Sequence, residues 1–408
     1  MLDREILREL SKKYAQIASL SIQERNINNW KALNSLKSVK PMVVIDQIPW
    51  HQMHIGDELI LKCTDPFYRG LEWQMREEIY KWTHFPCDMV VRNYIRVNKV
   101  VKNSGIGIDN LLFENEGGLQ GAQTHLYVDQ IKDEEAVENL KLPILEYDEQ
   151  ETKRHVGIAN DLIGDILPIY ASGDILWEAV WDRIVFWRGA TTVLYDLADR
   201  PEYLHKLMKK MAEIEMSTID QMEQQNLFEI DPKSCHCAYT FTDELPKPGF
   251  KPNHVRAKDC WVSGAAQIFS EVSPSMHDEF EIEYLKPVYE RFGLVNYGCC
   301  EPLHNKINII KKINNVRLIS MSPWANIDIA SEVMGNQYVM ARKPNPSFLA
   351  SGNVDEASIR KEIQHTLATC AKNSTPFAYI LKDITTLNNN PKALTDWYNI
   401  VKSEIDNF

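Results

Sequence analysis

The residues best suited to chemistry lie in one short segment, residues 296–304, which reads NYGCCEPLH. Cys299 and Cys300 are adjacent, a glutamate follows them directly, and His304 comes four residues after the second cysteine. Thiolates, imidazoles and carboxylates are the side chains that bind zinc in proteins, and zinc in turn keeps a thiol deprotonated. The segment therefore predicts a metal site or a reactive thiol, with Glu271 as a further candidate oxygen ligand.

The competing interpretation is that these thiols are packing residues. Buried free cysteine behaves as a small apolar side chain, and the two thiols are adjacent rather than spaced as CxxC. A second thiol-rich segment, Cys235-His236-Cys237, also contains metal-binding residue types. In a strand, alternate side chains point to opposite faces, so His236 would face away from both of its cysteine neighbours. We expect this second segment to pack in the core.

These side chains need a scaffold, and the chain after residue 87 alternates short β-rich runs with helical stretches. The β-rich runs lack polar alternation, which is typical of parallel strands covered on both faces. Eight such units predict an α/β fold, a closed (β/α)8 TIM barrel over residues 88–408, with residues 1–87 as an N-terminal helical extension packed on it. A doubly wound open sheet is the alternative. The predicted strands are residues 88–95, 165–170, 236–241, 259–264, 294–299, 316–321, 338–343 and 377–382.

Residues at the ends of these strands are the ones to examine, because the active site of a TIM barrel lies at the carboxyl ends of its strands. Trp324 follows the strand at 316–321, Arg342 and Lys343 close the next strand, and Asp383 follows the last one. The apolar run at residues 40–50 is either a buried strand or the start of a loop over the core. Thiol and polar groups therefore concentrate at one pole of the predicted barrel.

Composition and charge exclude several classes of protein. The 408 residues include 45 Lys and Arg against 57 Asp and Glu, a net charge of −12, and no basic run is longer than a lysine pair. Binding to nucleic acid is therefore not expected. No apolar stretch approaches the roughly 18–20 residues of a membrane span, and the N-terminus lacks the pattern of a secretion signal. Eight cysteines without a disulfide framework suit a reducing compartment, so we expect a cytoplasmic protein without membrane contact.

Several segments resemble the uroporphyrinogen decarboxylase superfamily. They are the stretch from Trp187 through LYDLADRPEYLHKLMKKM, the stretch EVSPSMHDEFEIEYLKPVYERFG with the NYGCCEPLH that follows, and the late segments RKPNP, LASGN and ILKDITT. The resemblance covers roughly residues 40–405 and implies the barrel fold. True porphyrinogen decarboxylases have an Arg-Gln-Ala-Gly-Arg loop that holds substrate carboxylates. The corresponding residues 46–50 read DQIPW and contain no arginine, which argues against a porphyrinogen substrate.

The resemblance is closer to the zinc-dependent methyltransferases of this superfamily, which move methyl groups to or from a corrinoid carried by a small partner protein. Their zinc site resembles a His-x-Cys pair at a strand end, completed by a distant Cys. In this chain the His position falls on Tyr297 and the Cys position on Cys299, while the last strand ends near Lys382 and Asp383 without a cysteine. The ligand set must therefore differ. The candidate zinc ligands are Glu271, Cys299, Cys300 and His304.

The resemblance implies transfer of a methyl group from a small methylated substrate to a corrinoid-binding protein with the help of zinc. Breaking a methyl ether or methylamine requires stabilisation of the charge that develops on the departing heteroatom, which a metal ion or an acid supplies. We expect Tyr297 or Asp383 to be the proton donor. The expected substrate-binding residues are Trp50, Trp324, Arg342 and Lys343. The two tryptophans suit a flat aryl group, so O-demethylation of a methoxylated aromatic is the leading reaction.

Two other functions stay open. One is a metal-independent decarboxylase or lyase of the uroporphyrinogen decarboxylase type, acting on a smaller acid through Arg342, Lys343 and Asp383; it predicts full activity after chelation. The other is a non-catalytic protein that binds a corrinoid or tetrapyrrole, which predicts tight binding without turnover. The sequence leaves the methyl donor and the oligomeric state undecided, with a homodimer as one option.

Overall fold

The computed structural model describes residues 3–37, 40–111 and 127–408 of the chain. These residues form thirteen strands, most of them short. The strands are β1 (Met42–Ile45), β2 (Ile95–Asn98), β3 (Val101–Asn103), β4 (Leu145–Tyr147), β5 (Ile169–Ser172), β6 (Trp177–Glu178), β7 (Ser234–Cys235), β8 (Ala238–Tyr239), β9 (Trp261–Gly264), β10 (Leu294–Tyr297), β11 (Val316–Met321), β12 (Val339–Arg342) and β13 (Phe377–Leu381).

Seven of the strands form one parallel sheet in the order β1-β13-β12-β11-β10-β9-β6. Strands β2 and β5 form a separate parallel pair, β3 and β4 form an antiparallel pair, and β7 and β8 form an antiparallel hairpin. The predicted α/β class with a parallel sheet is therefore confirmed. Sequential parallel strands joined through helices are the arrangement from which (β/α) barrels are built.

The closed ring of eight strands is not found in the described part of the chain, where the ladder of the main sheet stops at β1 and β6. The outer edge of β1 shows why. The Val43 backbone N–H donates to the Asp88 carboxylate at 2.8 Å, and the Asp88 N–H returns a bond to the Val43 carbonyl at 2.9 Å. A side chain thus takes a place that a neighbouring strand would fill, and the segment at 88–94 does not continue as a strand.

The strand predictions divide into two groups. The last five are confirmed, as β9 to β13, with ends that differ by two residues at most. Those at 88–95 and 165–170 are misplaced, because β2 and β5 begin later, and the one at 236–241 is wrong, because a hairpin occupies it. Residues 40–50 contain β1, so the strand interpretation of that segment is the right one.

Helices form the first and last elements of the described chain and most of the connections between strands. Several begin where the sequence signals them: Pro201 opens one helix, the Ser273 hydroxyl accepts from the Met276 N–H at 3.3 Å, and the Asp355 carboxylate accepts from the Ser358 N–H at 3.1 Å. In the described ranges, no helix combines the length and apolar character needed to cross a bilayer. The α-helices are α1 (Asp3–Ala18), α2 (Ser21–Asn34), α3 (Pro66–His84), α4 (Glu134–Glu138), α5 (Glu149–Ile163), α6 (Val180–Arg188), α7 (Ala190–Asp199), α8 (Pro201–Gln224), α9 (Pro274–His277), α10 (Glu283–Tyr289), α11 (Ile307–Ile310), α12 (Ile327–Met334), α13 (Glu356–Asn373) and α14 (Ala393–Asn407).

The first 87 residues supply helices and also a strand of the main sheet. Helix α1 packs on α3 and α5 through buried side chains such as Leu7 and Tyr14. Strand β1 lies in the same part of the chain and pairs in parallel with β13. This part of the chain therefore covers the sheet and also belongs to it.

The inner face of the main sheet changes from apolar to polar along the strands. Apolar inner side chains share one buried cluster; they include Trp261, Leu294, Leu318, Ala341 and Ile380. Two residues further along each strand, on the same face because side chains alternate, buried polar groups follow; they are Ser263, Asn296, Ser320, Lys343 and Lys382. The polar side chains therefore gather at the carboxyl ends of the strands.

A turn at the end of β10 directs the chain toward this polar end. Gly298 has φ +95°, a backbone conformation that residues with a side chain rarely adopt. A Cβ at this position would come within 2.3 Å of the Leu303 Cδ1 atom and 3.1 Å of the Ser320 Cβ atom. Glycine is therefore required where the chain turns into Cys299.

Replacement of this glycine should destabilise the fold. We expect Gly298→Ala to lower the free energy of unfolding by about 1–3 kcal/mol, because it adds backbone strain and a steric overlap. Denaturant unfolding measures this quantity. The matched control is Gly70→Ala in α3, where an added Cβ meets nothing within 4 Å, and where alanine should stabilise the helix by up to about 1 kcal/mol. Equal stability of the two variants would contradict the role of Gly298.

Candidate active site

Two adjacent thiols and one ammonium group form the centre of the candidate site. The Lys382 Nζ atom lies 2.9 Å from the Cys299 Sγ atom and 3.5 Å from the Cys300 Sγ atom. The two sulfur atoms are 3.2 Å apart, and the Cys300 Sγ atom lies 3.1 Å from the Asp383 Oδ2 atom. Cys299 and Lys382 are buried, whereas Cys300 is half-buried. The site thus has a buried inner contact and a more open outer thiol.

The thiol pair is held by the turn that follows β10. The Cys299 backbone N–H donates to the Glu301 Oε2 atom at 2.8 Å, and Glu301 is itself fully buried. The chain then enters a short 3-10 turn whose Leu303 side chain packs in the main core. A buried carboxylate that bonds the backbone two residues earlier fixes the direction of the turn, and so fixes where the Cys299 thiol points.

The contacts shift the pKa values of the two thiols in opposite directions. The hydrogen bond with Cys300 and then the attraction of the Lys382 ammonium lower the pKa of Cys299, although burial opposes the shift. For Cys300 the same thiol–thiol bond and burial raise the pKa. Burial works against the charge of Lys382, but nearby thiolates raise its pKa. The favoured state is therefore a Cys299 thiolate that accepts bonds from a neighbouring S–H and N–H.

A second buried lysine lies beside the first. The Lys343 Nζ atom donates to the Ser320 hydroxyl at 2.7 Å and to the Ala341 carbonyl at 3.2 Å. Burial, followed by repulsion from Lys382, lowers the pKa of Lys343 to about 8. This is the effect that a neighbouring cation and a poorly solvated position have on an amine. The inner side of the site therefore carries concentrated positive charge.

The Cys235-His236-Cys237 segment packs in the core as predicted, because Cys235 and Cys237 belong to the buried cluster on the inner face of the sheet. The segment also reaches the same end of the sheet. It forms the tip of the β7–β8 hairpin, where His236 and Cys237 have φ values of +47° and +71°. The Asn296 side chain donates to the Cys235 carbonyl at 2.8 Å, which anchors the hairpin to the inner face of β10. The His236 ring stacks on Trp177 with centroids 5.1 Å apart. Burial and the charges of the two site lysines lower the pKa of His236 to about 4.

The four predicted zinc ligands are not brought together. Cys299 and Cys300 are in contact, but Glu271 is exposed, and the His304 Nδ1 atom is buried without a hydrogen-bond partner in the described structure. No group of three or more His, Cys, Asp or Glu side chains within the described ranges is arranged to hold a metal ion. The ammonium of Lys382 contacts both thiols. These residues, as arranged, do not fit a zinc ion.

The two predicted proton donors lie in different places. Asp383 lies at the thiol pair, where its carboxylate contacts Cys300. The Tyr297 hydroxyl points to the other face of β10, where it bonds the Glu281 carboxylate at 3.0 Å and the His277 Nε2 atom at 2.8 Å. Because successive side chains of a strand alternate between faces, Tyr297 belongs to a buried polar network behind the sheet and does not reach the thiols.

The predicted substrate-binding residues are also divided. Lys343 faces the site, but Arg342 faces helix α13, where its guanidinium lies 2.7 Å from the Glu362 carboxylate. Trp50 packs edge-on against Trp73 in α3, with centroids 5.3 Å apart. Trp324 is 71% exposed. Of these four side chains, Lys343 is the one that the structure brings to the thiol pair.

A cavity of about 290 Å³ opens beside the end of β1. Asp46, which directly follows β1, lines it and also raises the pKa of Cys237, a shift that comes first from burial. The lining combines aromatic and charged groups. The aromatic members are Tyr14, Tyr94 and Tyr239, and the basic members are Lys81, Arg92, Arg96 and Lys233. The cavity is therefore polar, and Asp46 connects it with the thiol-containing end of the sheet.

The basic groups of this cavity are held by acidic partners. Arg92 bonds Asp231, the Arg96 guanidinium lies 3.0 Å from the Glu229 carboxylate, and Lys233 lies 2.5 Å from Glu78. The Nε atoms of both arginines are buried and have no hydrogen-bond partner among the described residues. Both arginines also contribute to the lining of the cavity.

Sequence reasoning missed four contributors to this site: Lys382, His236, Cys237 and Asp46. Two of them had an available signal, because Lys382 ends a predicted strand and Asp46 ends the apolar run at residues 40–50. The hairpin residues were noticed for their metal-binding types, but their turn had no signal, since a tight turn with positive φ at a histidine and a cysteine lacks the glycine or asparagine that normally marks it. Their approach to the lysines depends on the tertiary fold.

The lowered pKa of His236 should make stability depend on pH. In the unfolded chain a histidine takes up a proton near pH 6.5, whereas folded His236 resists protonation down to about 4. The stabilising contribution is therefore present above pH 6.5 and is lost as the pH falls toward 4. We expect His236→Asn to remove up to about 2 kcal/mol of the loss in unfolding free energy between pH 7 and pH 5. Denaturant unfolding at both pH values tests this.

The control for this experiment is His365→Asn, since the His365 side chain is 54% exposed. That variant should retain the pH dependence of the wild type. The interpretation of His236 fails if both variants lose stability with falling pH as the wild-type protein does.

Comparisons with known proteins agree with the architecture. No protein-family profile and no curated protein matches the chain. Among solved structures, the chain is similar to a methyltransferase from Methanosarcina mazei, with a TM-score of 0.50 and 11% sequence identity over 92% of this chain and 98% of that one. At this identity the likeness concerns the fold, because one fold hosts many activities. The chain thus has an α/β fold similar to that of a methyltransferase.

Proposed function

We propose that this protein is a corrinoid-dependent methyltransferase, which moves a methyl group from a small methylated substrate to a corrinoid carried by a partner protein. The observation that carries the proposal is the contact between the Cys299 thiol and the Lys382 ammonium at the carboxyl ends of the parallel strands. The fold likeness to a methyltransferase, which extends over 92% of the chain, supports it. A site at strand ends is where this architecture carries out chemistry.

The charges of the site suit the removal of a methyl group from oxygen or nitrogen. As the bond to the methyl carbon breaks, negative charge develops on the departing heteroatom, and fixed positive charge nearby stabilises it. Lys343 and Lys382, both of them buried, supply that charge from the inner side of the site. Asp383 is the proposed proton donor, because it lies at the outer thiol and its side chain is 42% exposed. The corrinoid would supply the acceptor for the methyl group.

The cavity beside Asp46 indicates what the substrate carries. A methoxylated aromatic remains the proposed substrate, but its ring would meet tyrosines rather than the two predicted tryptophans. The guanidinium groups of the arginines that line this cavity would bind acceptor oxygens, and they suit carboxylates in particular. A methoxylated aromatic acid satisfies both features of the lining. We therefore propose a methyl donor of this class.

The decarboxylase alternative has one observation in its favour, the lowered pKa of Lys343 beside a second ammonium. Paired lysines in a poorly solvated site are suited to binding a carboxylate or a carbonyl group. Arg342, the other cation of that hypothesis, faces helix α13 and bonds Glu362 instead. Release of carbon dioxide from aromatic acids, measured without a corrinoid acceptor, distinguishes a decarboxylase from a methyltransferase.

Loss of the inner thiol should abolish methyl transfer. With reduced corrinoid protein and methoxylated aromatic acids present, the cobalt absorbance reports methylation directly. We expect Cys299→Ala to lower the rate about a hundredfold or more, because Lys382, which would stabilise the departing heteroatom, loses the partner that holds it in place. The matched control is Cys370→Ala, a buried thiol on α13 in the hydrophobic core, which should keep near wild-type activity. Equal activity of the two variants would contradict the proposed site.

The carboxylate part of the substrate proposal has its own test. We expect Arg92→Gln to raise the KM for a methoxylated aromatic acid by about tenfold or more, and to leave the KM for an uncharged aryl ether nearly unchanged. Its partner Asp231 has a side chain that is 44% exposed, so the change leaves no buried unpaired carboxylate. Arg154→Gln, whose side chain is 57% exposed on α5, is the control. An equal effect on both substrates would contradict carboxylate binding in this cavity.

A further inference from the structure

We propose that Lys382 takes the place of a metal ion in this site and holds Cys299 as a metal-free thiolate. This inference deepens the proposed function, because the thiolate would act at the same strand ends as the methyl transfer. It concerns the resting protein, so it does not require that the substrate be known. It also replaces the expected zinc ion with a residue of the chain itself.

The position of the ammonium is the first argument. Its Nζ atom is 2.9 Å from the Cys299 Sγ atom, 3.5 Å from the Cys300 Sγ atom and 3.4 Å from the Asp383 Oδ2 atom. An ammonium group has three N–H donors, and here three anionic or weakly acidic acceptors surround it. A divalent ion that bound these sulfur and oxygen atoms would need the space that Nζ occupies.

The separation of the sulfur atoms is the second argument. Two thiolates bound to one tetrahedral zinc ion at about 2.3 Å stand about 3.7 Å apart. Here the Cys299 and Cys300 sulfur atoms are 3.2 Å apart, a distance at which one thiol donates its proton to the other. The pair therefore has the geometry of a thiol–thiolate hydrogen bond rather than that of two metal ligands.

Burial is the third argument. Cys299 is 3% exposed and Lys382 is 1% exposed, and an isolated charge in such a position is strongly unfavourable. Each of the two charges compensates the other, so the ion pair is the state in which both can stay buried. Other groups act on the pair through their charges. They are Cys237, His236, Lys343, Glu301, Cys300 and Asp383.

The pairing has a chemical consequence for the site. A thiolate is the nucleophilic form of cysteine, and an adjacent cation keeps it in that form at neutral pH. A zinc ion has the same effect on a thiol but takes one of its lone pairs in a coordinate bond. The lysine achieves it through a hydrogen bond and its charge, so the sulfur stays anionic at the strand ends without a metal ligand bond.

Ultraviolet absorbance of the thiolate tests the pairing in the purified full chain without substrate. A pH titration is recorded for the wild type and for Cys299→Ser, and the difference between them belongs to Cys299. We expect Lys382→Met to move the midpoint of this difference upward by at least about one pH unit, which lowers the thiolate fraction near neutral pH about tenfold. Lys382→Arg should largely restore the wild-type midpoint, since it retains the charge.

The control variant is Lys306→Met, because Lys306 is equally buried but donates to the Phe269 carbonyl rather than to a thiol. It should leave the midpoint unchanged. An unchanged midpoint in Lys382→Met, or an equal shift in Lys306→Met, would overturn the proposal. This readout separates the specific effect of the ammonium from a general effect of losing a buried lysine.

Metal content provides the second measurement. The wild type and Cys299→Ser are incubated with zinc, desalted and analysed for bound zinc per chain. We expect both to retain the same small amount. About one zinc ion per wild-type chain that is lost in Cys299→Ser would overturn the proposal. Because neither measurement involves methyl transfer, failure of the ion pair and absence of methyl transfer are detected in separate experiments and can be told apart.

Discussion

The contact between Lys382 and Cys299 is the interaction on which the site depends. The two residues follow strands β13 and β10, which lie three positions apart in the sheet. Neighbouring strands are about 4.8 Å apart, so a flat sheet would separate these positions by about 14 Å. The long Lys382 side chain and the turn after β10 bring the two groups to the 2.9 Å contact on the inner face of the sheet.

The order of residues on the inner face agrees with this placement. Where that face is covered by apolar side chains such as Leu318 and Ile380, the sheet is a core. Two residues later on the same strands, Ser320 and Lys382 lie on the same face but nearer the carboxyl ends of the strands. Charged groups are tolerated there because each has a partner, the thiol for one lysine and a hydroxyl for the other. The apolar part of this face therefore stabilises the fold, and the polar part at the strand ends forms the candidate site.

The surroundings of the ion pair connect the fold with the proposed reaction. The β7–β8 hairpin covers the inner end of the site, and Asp46 joins it to a cavity that contains arginines and tyrosines. A polar aromatic substrate bound in that cavity would approach an anionic sulfur flanked by positive charge. In the proposed reaction the corrinoid would supply the nucleophile, and the two buried lysines would stabilise the leaving group.

The sequence by itself determined the α/β class, the last five strands, the starts of several helices and the thiol pair after β10, because these features depend on local patterns of residues. It also predicted the polar concentration at the strand ends, since the residues that follow each predicted strand can be identified directly from the sequence. Only the tertiary structure decided which side chains meet. Tyr297 and Arg342 turned to the outer face, Glu271 stayed exposed, and Lys382 reached the thiols. The contact of Lys382 joins residues more than eighty positions apart, and no local pattern encodes how such distant residues come together.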